Sequence, residues 1–519
     1  MDITPKSEAP RQFKWFLLLG FVFECLLLPL PLFETQDSWL GIKTVNFVII
    51  SHYLPWTVAR MLFPTAEVVG IVLICLVMSL VWACLFYLAR AFVRFLFITF
   101  RISRRKKILI ACGCFFTCVV FLIWPIIEDF QNHPTPFKLS PGAKTLVNNN
   151  TVFALALYQN QRQQPGNLFF SPYSISSGMA MVYAGARGQT ESEIAQTLHF
   201  SLPQSALHPA FSELMLRANN LQHWGHISLL SANSLWCQKD YPLKDAFKDL
   251  ARDDYQAELR NVDFKNESQS AAAQINSWLT RQTAGKINGA FKSDPEARLI
   301  LCNAIYFKGR WLHKFKPADT QPGEFHVTTN QTVTVPMMSQ KAKHRMAYAG
   351  DNVMLLELPY WADDLSMVII LPRADFDGPP DINQFEDMLD ASRLQSWLSQ
   401  LYAAGPYDTI VRMPRFKTQN TLALDKTLSA MGCASLFTNS ADLSGMDGTK
   451  YLYIGDAIHT ACVEVNESGT EAAAVTLMVA KSKGMTPRFV VDHPFIFLIR
   501  DNATGSILFL GRIINPLVE

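Results

Sequence analysis

NLFFSPYSISSGMAMVYAGARGQTESEIAQTLHF, residues 167–200, reads as a strand followed by two helices. Leu168, Phe169 and Phe170 make a short apolar strand, and Pro165-Gly166 turns the chain before it. Ser171-Pro172 then starts a helix. A proline in the first turn loses no helical hydrogen bond, and the serine hydroxyl can cap the free N–H groups behind it. From Tyr173 to Ala184 nearly every side chain is apolar or small, so this helix lacks a solvent face and belongs inside a core. Gly185-Ala-Arg-Gly188 ends it, and Thr190-x-x-Glu193 reads as the capping box of the next helix.

The same mixture of elements continues on both sides. Lys144 to Gln159 sets Val147, Phe153 and Leu157 at helical intervals, with Ala154 beside them, which predicts an amphipathic helix. Leu355-Glu-Leu, Ser366–Leu371 and Ile507–Leu510 are short β-rich runs, whereas Asp387–Leu401 and Asp425–Met431 read as helical. The class is therefore α+β. Near the C-terminus a strand over Ala457–Val465 leads into Glu467-Ser-Gly-Thr-Glu-Ala-Ala-Ala-Val-Thr476. These residues are too small to anchor a core and too apolar for an ordinary linker. The segment is either an exposed loop of small residues or a strand in waiting, because small alternating side chains enter a sheet at little steric cost.

Composition divides the chain. Of its 46 Lys+Arg and 44 Asp+Glu, 12 and 8 fall in residues 1–133, leaving a nearly neutral 34 and 36 for the rest. No basic field remains for nucleic acid. Glu67–Ala89 and Ile108–Ile127 are apolar and reach the roughly 20 residues that a helix needs to cross a bilayer. Arg90, Arg94, Arg101, Arg104, Arg105, Lys106 and Lys107 lie between them and mark a cytoplasmic loop. Phe13–Phe33, interrupted by Glu24, is a third span or an uncleaved signal-like segment. The organisation expected is a membrane region over residues 1–130, with about three spans at 13–33, 67–89 and 108–127. A proline-rich linker follows over 131–142, then a domain over 143–519 on the extracytoplasmic side of the lipid bilayer. A multi-span anchor without a clear cleavable signal favours a bacterial inner membrane and a periplasmic domain. The domain's Cys237, Cys302, Cys433 and Cys462 are widely spaced and form neither a disulfide framework nor a metal motif.

Several ordered segments carry a resemblance. Besides residues 167–200 these are Asn276-Ser-Trp-Leu279, Thr283-Ala-Gly-Lys-Ile287, Leu301-Cys-Asn-Ala-Ile-Tyr-Phe-Lys-Gly-Arg-Trp311 and Pro414-Arg-Phe416. Ala441-Asp-Leu-Ser-Gly445, Phe489-Val-Val-Asp-His-Pro-Phe-Ile-Phe-Leu-Ile499 and Gly511-Arg-Ile-Ile-Asn-Pro516 follow. Together they resemble the serpins over about residues 140–519, a full serpin length. The resemblance implies the α+β serpin fold, with three β-sheets, eight to nine helices and an exposed reactive-centre loop, here preceded by transmembrane helices that the usual secreted serpin lacks. It also implies a mechanism. A protease attacks the loop and forms an acyl-enzyme; the cut loop then inserts as an extra strand into the largest sheet and deforms the protease.

Under that resemblance the hinge comprises Glu467, Gly469, Thr470, Ala472, Ala473, Ala474 and Thr476. Strand alternation puts Thr470, Ala472, Ala474, Thr476 and Met478 on the inserting face, with no charge or proline among them, and Glu471 on the other. Counting the family's loop length places the reactive bond at Lys483-Gly484, with Lys481-Ser482 as the competing site. Lysine before the bond fits a trypsin-like serine protease, whose specificity pocket ends in a carboxylate; papain-like cysteine proteases are alternative targets. Ser171, Ser174, Asn303 and His459 are expected to form a hydrogen-bonded shutter beneath the sheet, and Trp311 to stand at the breach where the loop enters. His313 and His493 read as structural or surface residues. No catalytic triad, P-loop or metal constellation accompanies them, so neither enzyme activity, cofactor nor metal is expected. Ser201–Gln222 corresponds to the polyanion-binding helix of some serpins. It offers only Arg217 and His208, which argues against a heparin-type cofactor. A non-inhibitory serpin acting as a binding, carrier or chaperone module is the alternative function.

Overall fold

Ser171 caps its helix as its position before Pro172 demands: its Oγ accepts from the Ser174 N–H at 3.1 Å. The computed structural model describes residues 137–518 apart from 222–225, 284, 286–290, 351, 374–380 and 470–485. Among the described residues the chain begins with α1 (Pro141–Gln161), followed after one short strand by α2 (Pro172–Gly185), α3 (Gly188–Thr197) and α4 (Gln204–Asn220). α2 is buried along almost its whole length. It lies so close to the sheet below that a Cβ on Gly178 would sit 3.0 Å from Asn233 Oδ1.

The strands in chain order are β1 (Leu168–Phe170), β2 (Ile227–Gln238), β3 (Glu258–Val262), β4 (Leu299–Gly309), β5 (Gln321–Thr328), β6 (Gln331–Ala349) and β7 (Val353–Pro359). β8 (Leu365–Pro372), β9 (Pro406–Pro414), β10 (Phe416–Ala423), β11 (Asp456–Val465), β12 (Arg488–Val490), β13 (Phe495–Asp501) and β14 (Ile507–Ile513) complete them. One sheet has the order β10-β11-β4-β2-β3. The others share the long strand β6, whose first part pairs with β5 and β9 and whose last residues pair with β7. From β7 the second sheet continues through β8, β13 and β14 to β1, and the third ends in β12 beside β9. Among the described residues the fold is thus α+β with three sheets, two of them joined through β6. Strands such as β8 and β14 are buried at every position and read as unbroken apolar runs rather than alternating ones, as sheets covered on both faces do.

Three local expectations change. Thr190 and Glu193 do not form a capping box, since α3 starts at Gly188 without a side-chain cap. Both reach across the fold instead: Thr190 Oγ1 accepts from the Asp442 N–H and Glu193 from the Ser435 N–H, each at 2.9 Å. The stretch Asp387–Leu401 divides into α-helices Ile382–Asp387 and Ala391–Ala403, because Asp390 caps the second through the Arg393 N–H at 2.8 Å.

The third concerns the membrane. The expected multi-pass integral placement, with its extracytoplasmic and inner-membrane assignment, is withdrawn. Among the described residues no helix is long and apolar enough to cross a bilayer. α1, the longest at 21 residues, carries Asn148, Asn149 and Asn150, and most of its apolar side chains, Leu146, Phe153, Leu155 and Leu157 among them, are buried in the domain core. The stretches 13–33, 67–89 and 108–127 lie outside the described residues.

Candidate functional site

The central seam of the five-stranded sheet is the ladder between β11 and β4. These two strands pair in parallel from Asp456↔Ile300 to Cys462↔Tyr306, while β10 joins β11 and β2 joins β4 in antiparallel fashion. His459 and Asn303 stand directly opposite each other on this seam. The capped start of α2 lies against them. His459 Nε2 accepts from the Ser171 N–H at 3.0 Å, and its Nδ1 meets Asn303 Oδ1. Asn303 Nδ2 faces the Ser174 carbonyl at 2.9 Å, Ser174 Oγ at 2.7 Å and Asn233 Oδ1 at 2.6 Å. Ser171 Oγ donates to the Leu508 carbonyl of β14 at 2.6 Å, which ties the cluster to a second sheet.

These bonds fix the protonation state of His459. A backbone N–H only donates, so Nε2 must be the bare nitrogen, Nδ1 carries the hydrogen, and the ring is neutral. Complete burial acts in the same direction and pushes its pKa from 6.5 down to about 3. The four expected shutter residues therefore form one hydrogen-bonded group, at zero exposure. Asn233, Ser231 and Ser177 belong to it as well, and nothing in the sequence singled them out.

At the upper end of the seam the chain leaves β11 through a turn over Asn466–Gly469. Three donors hold this turn. Trp311 Nε1 donates to the Asn466 carbonyl at 3.0 Å, the Trp311 N–H to Ser468 at 3.2 Å and the Phe315 N–H to Glu467 at 3.0 Å. Trp311 stacks on Tyr360 at 4.5 Å, so its position is set by packing from the far side. Glu467 is only 5 % exposed. Burial opposes its charge, but hydrogen bonds from Arg415 and Thr320 outweigh that and hold its pKa below the usual carboxylate range. Arg415 lies in the landmark Pro414-Arg-Phe416; Thr320 carried no signal. Gly469 adopts φ +91°, and a Cβ there would lie 2.1 Å from the Gly309 carbonyl oxygen, so the turn admits no side chain.

Thr470, Ala472, Ala473, Ala474, Thr476, Lys481, Ser482, Lys483 and Gly484 lie outside the described residues. Arg217 and His208 both point inward. Arg217 is 3 % exposed and pairs with Asp364 at 2.8 Å and Asp501 at 3.0 Å, while His208 Nδ1 meets Tyr255 Oη at 2.6 Å. His493 is buried against the Pro372 carbonyl at 2.6 Å. Among the described residues the four domain cysteines make no disulfide and are buried, and burial raises the pKa of Cys237 and Cys433 to about 12. Among the described residues no group of three or more His, Cys, Asp or Glu could hold a metal ion.

The profile of the family described as "Serpin (serine protease inhibitor)" matches residues 148–516. Leukocyte elastase inhibitor A of Mus musculus is 40 % identical over 376 residues, covering 71 % of this chain and 98 % of its own. The Homo sapiens leukocyte elastase inhibitor is 39 % identical over 376 residues, with the same coverage. Uncleaved ovalbumin matches with a TM-score of 0.64 and 29 % identity, covering 71 % of this chain and 99 % of its own. Human thyroxine-binding globulin matches with a TM-score of 0.65 and 29 % identity, over 72 % and 99 %. The fold, the family profile and these relatives agree, and the chain belongs to the serpin family.

Proposed function

We propose that this serpin inhibits serine proteases as a suicide substrate, with residues 467–485 as its reactive loop and Lys483-Gly484 as the bond attacked. The observation that carries the reading is the parallel β11–β4 seam with Glu467–Gly469 seated at its top. A segment leaving β11 and folding back between the two strands would run antiparallel to both. It would replace one parallel ladder with two antiparallel ones, which are slightly more stable per residue. The His459–Asn303 contact spans the same seam and would have to part. The bare expectation that the chain is not an enzyme needs correction. Its relatives are named protease inhibitors, and a suicide substrate is a reactant of its target's own chemistry while not a classical enzyme.

Lys483 supports a trypsin-like target, because its ammonium needs a carboxylate at the base of the specificity pocket. The relatives' name directs attention to elastase, whose small pocket takes short apolar residues; Val479 and Ala480 are such residues, upstream of Lys483. The full chain should be mixed with trypsin, elastase and papain-class proteases and resolved in SDS. A covalent complex with trypsin and a new C-terminus at Lys483 support the proposal. Lys483→Ala should slow that complex by about a hundredfold or more. A complex with elastase cut after Val479 would move the bond but keep the inhibitor. Clean cleavage without complex across the panel would overturn both, and would favour the binding-module reading suggested by the likeness to thyroxine-binding globulin.

A further inference from the structure

His313 lies between Trp311 and Phe315, whose backbone N–H groups hold the carbonyls of Ser468 and Glu467. Its ring meets that of His344 edge to face, with centroids 5.8 Å apart and planes at 82°. His344 stands on β6 opposite Tyr407 of β9, is 2 % exposed, and has no hydrogen-bond partner on either ring nitrogen. Buried polar groups are almost always paired, so an imidazole with two idle nitrogens calls for a physical reason. His313, in contrast, reaches solvent.

Charges of both signs lie around the pair: the buried Glu357, which also accepts from Tyr402 Oη at 3.1 Å, and the cations Arg310, Lys314 and Arg345. Lys314 follows His313 directly and, partly buried, feels the charge of Arg310, which stands three residues before His313 with its guanidinium over the Trp361 ring. Arg345, next to His344, is engaged with Glu357 at 2.6 Å. His313 is the charged neighbour that acts on His344; the Glu357 main chain favours the charged ring slightly, without a well-formed hydrogen bond. Among the described residues no His, Cys or carboxylate completes a metal-ligand set with the pair. The pair is suited to protons.

Resting on the loop-insertion reading above, we propose that His313 and His344 make the seating of the hinge pH-dependent. In acid the pair takes up protons, the Trp311–Phe315 segment loosens its hold on Glu467 and Ser468, and the top of the seam opens.

Burial, and then His313, push the His344 pKa from 6.5 down to about 4, and desolvation also lowers that of His313. Lifting the segment brings the His344 ring into water and frees the half-desolvated His313 ring, which returns both to their ordinary range. The seated state thus binds fewer protons than the open one. Its advantage is complete above about pH 6.5 and is lost progressively as pH falls toward 4. For His344 alone this raises the open fraction about tenfold at pH 5.5 relative to neutral pH.

The test is hydrogen exchange of the Trp311 and Phe315 amides in the full chain, at pH 5.5 and 7.5, corrected for intrinsic exchange. Wild type should exchange about tenfold faster at pH 5.5, and His344→Phe should remove most of that difference. His313→Asn, at an exposed position, should remove part of it and keeps the test valid where His344→Phe fails to fold. Acid acceleration that is the same in wild type and in the folded variants overturns the proposal; any share arising at His459 persists in all of them. Insertion of a synthetic Thr470–Ser482 peptide, measured in parallel, judges the underlying reading separately. If no peptide inserts at any pH, loop insertion fails, while the amide exchange still decides the role of the pair.

Discussion

His459 joins β11, β4 and the start of α2 through a single neutral ring. Replacing it with leucine leaves the Ser171 N–H and Asn303 Oδ1 without partners in a dry site, at about 1–3 kcal/mol each. His459→Leu should therefore lower the denaturant midpoint measurably at pH 7.5. The wild type should also lose stability as pH falls from about 6.5 toward 3, because its folded pKa lies near 3 and the unfolded ring takes up a proton first. In His459→Leu that part of the acid slope should disappear, as denaturation series at pH 7.5, 5.5 and 4.5 would reveal. At this scale the sequence was informative where a residue sits in a landmark segment, as Ser171, Ser174 and Asn303 do, whereas His459 came only with the family resemblance. Asn233 and Ser231 were hidden because β2 alternates without any mark of which face would meet α2. Glu467 was visible, but its clamp from Thr320 was not, since 147 residues of chain separate the two.

Elements were legible to the extent that local chemistry governed them. Ser171-Pro172 starts α2 as expected, because capping is settled within one turn. Thr190 and Glu193 carried the same kind of local pattern and were used otherwise. The backbone N–H groups of Ser435 and Asp442 needed acceptors, and a tertiary bond displaced the local one. The parity of residues 470–478 provides a test at this scale. Thr476→Arg would bring a charge to the face that enters the sheet, where burial of an unpaired guanidinium is costly. It should divert most of the protein from SDS-stable complex to cleaved product. Glu471→Arg, on the opposite parity, should leave the ratio of complex to cleaved product nearly unchanged in the same gel assay.

For the whole molecule, the landmark segments spread over 140–519 carried the family resemblance, and the expectation of three sheets came with that resemblance, while the residues by themselves gave only mixed strands and helices. Burial of Arg217 among Asp364 and Asp501 was not legible from α4, since both acids come from distant strands or loops. If the loop enters the seam, the uncut form is held by a barrier rather than by its depth in free energy. A dozen new ladder bonds at about 1 kcal/mol each should raise the thermal midpoint of the cut form by roughly ten degrees or more. Calorimetry before and after limited cleavage at Lys483 would read this directly.

Under the proposed insertion, the parallel seam between β4 and β11 also turns position into time. A strand fed from the Gly469 end must zip downward one residue after another, so each step along the sequence is a tick, and Thr470 precedes Ala472, which precedes Ala474. At about 3.3 Å per residue, the stretch from Gly469 to Lys483 lays down a path of about 45 Å. On the proposed mechanism, the race between this zipping and release of the protease would be decided by the earliest ticks, where the small side chains of Ala472, Ala473 and Ala474 stand in the sequence.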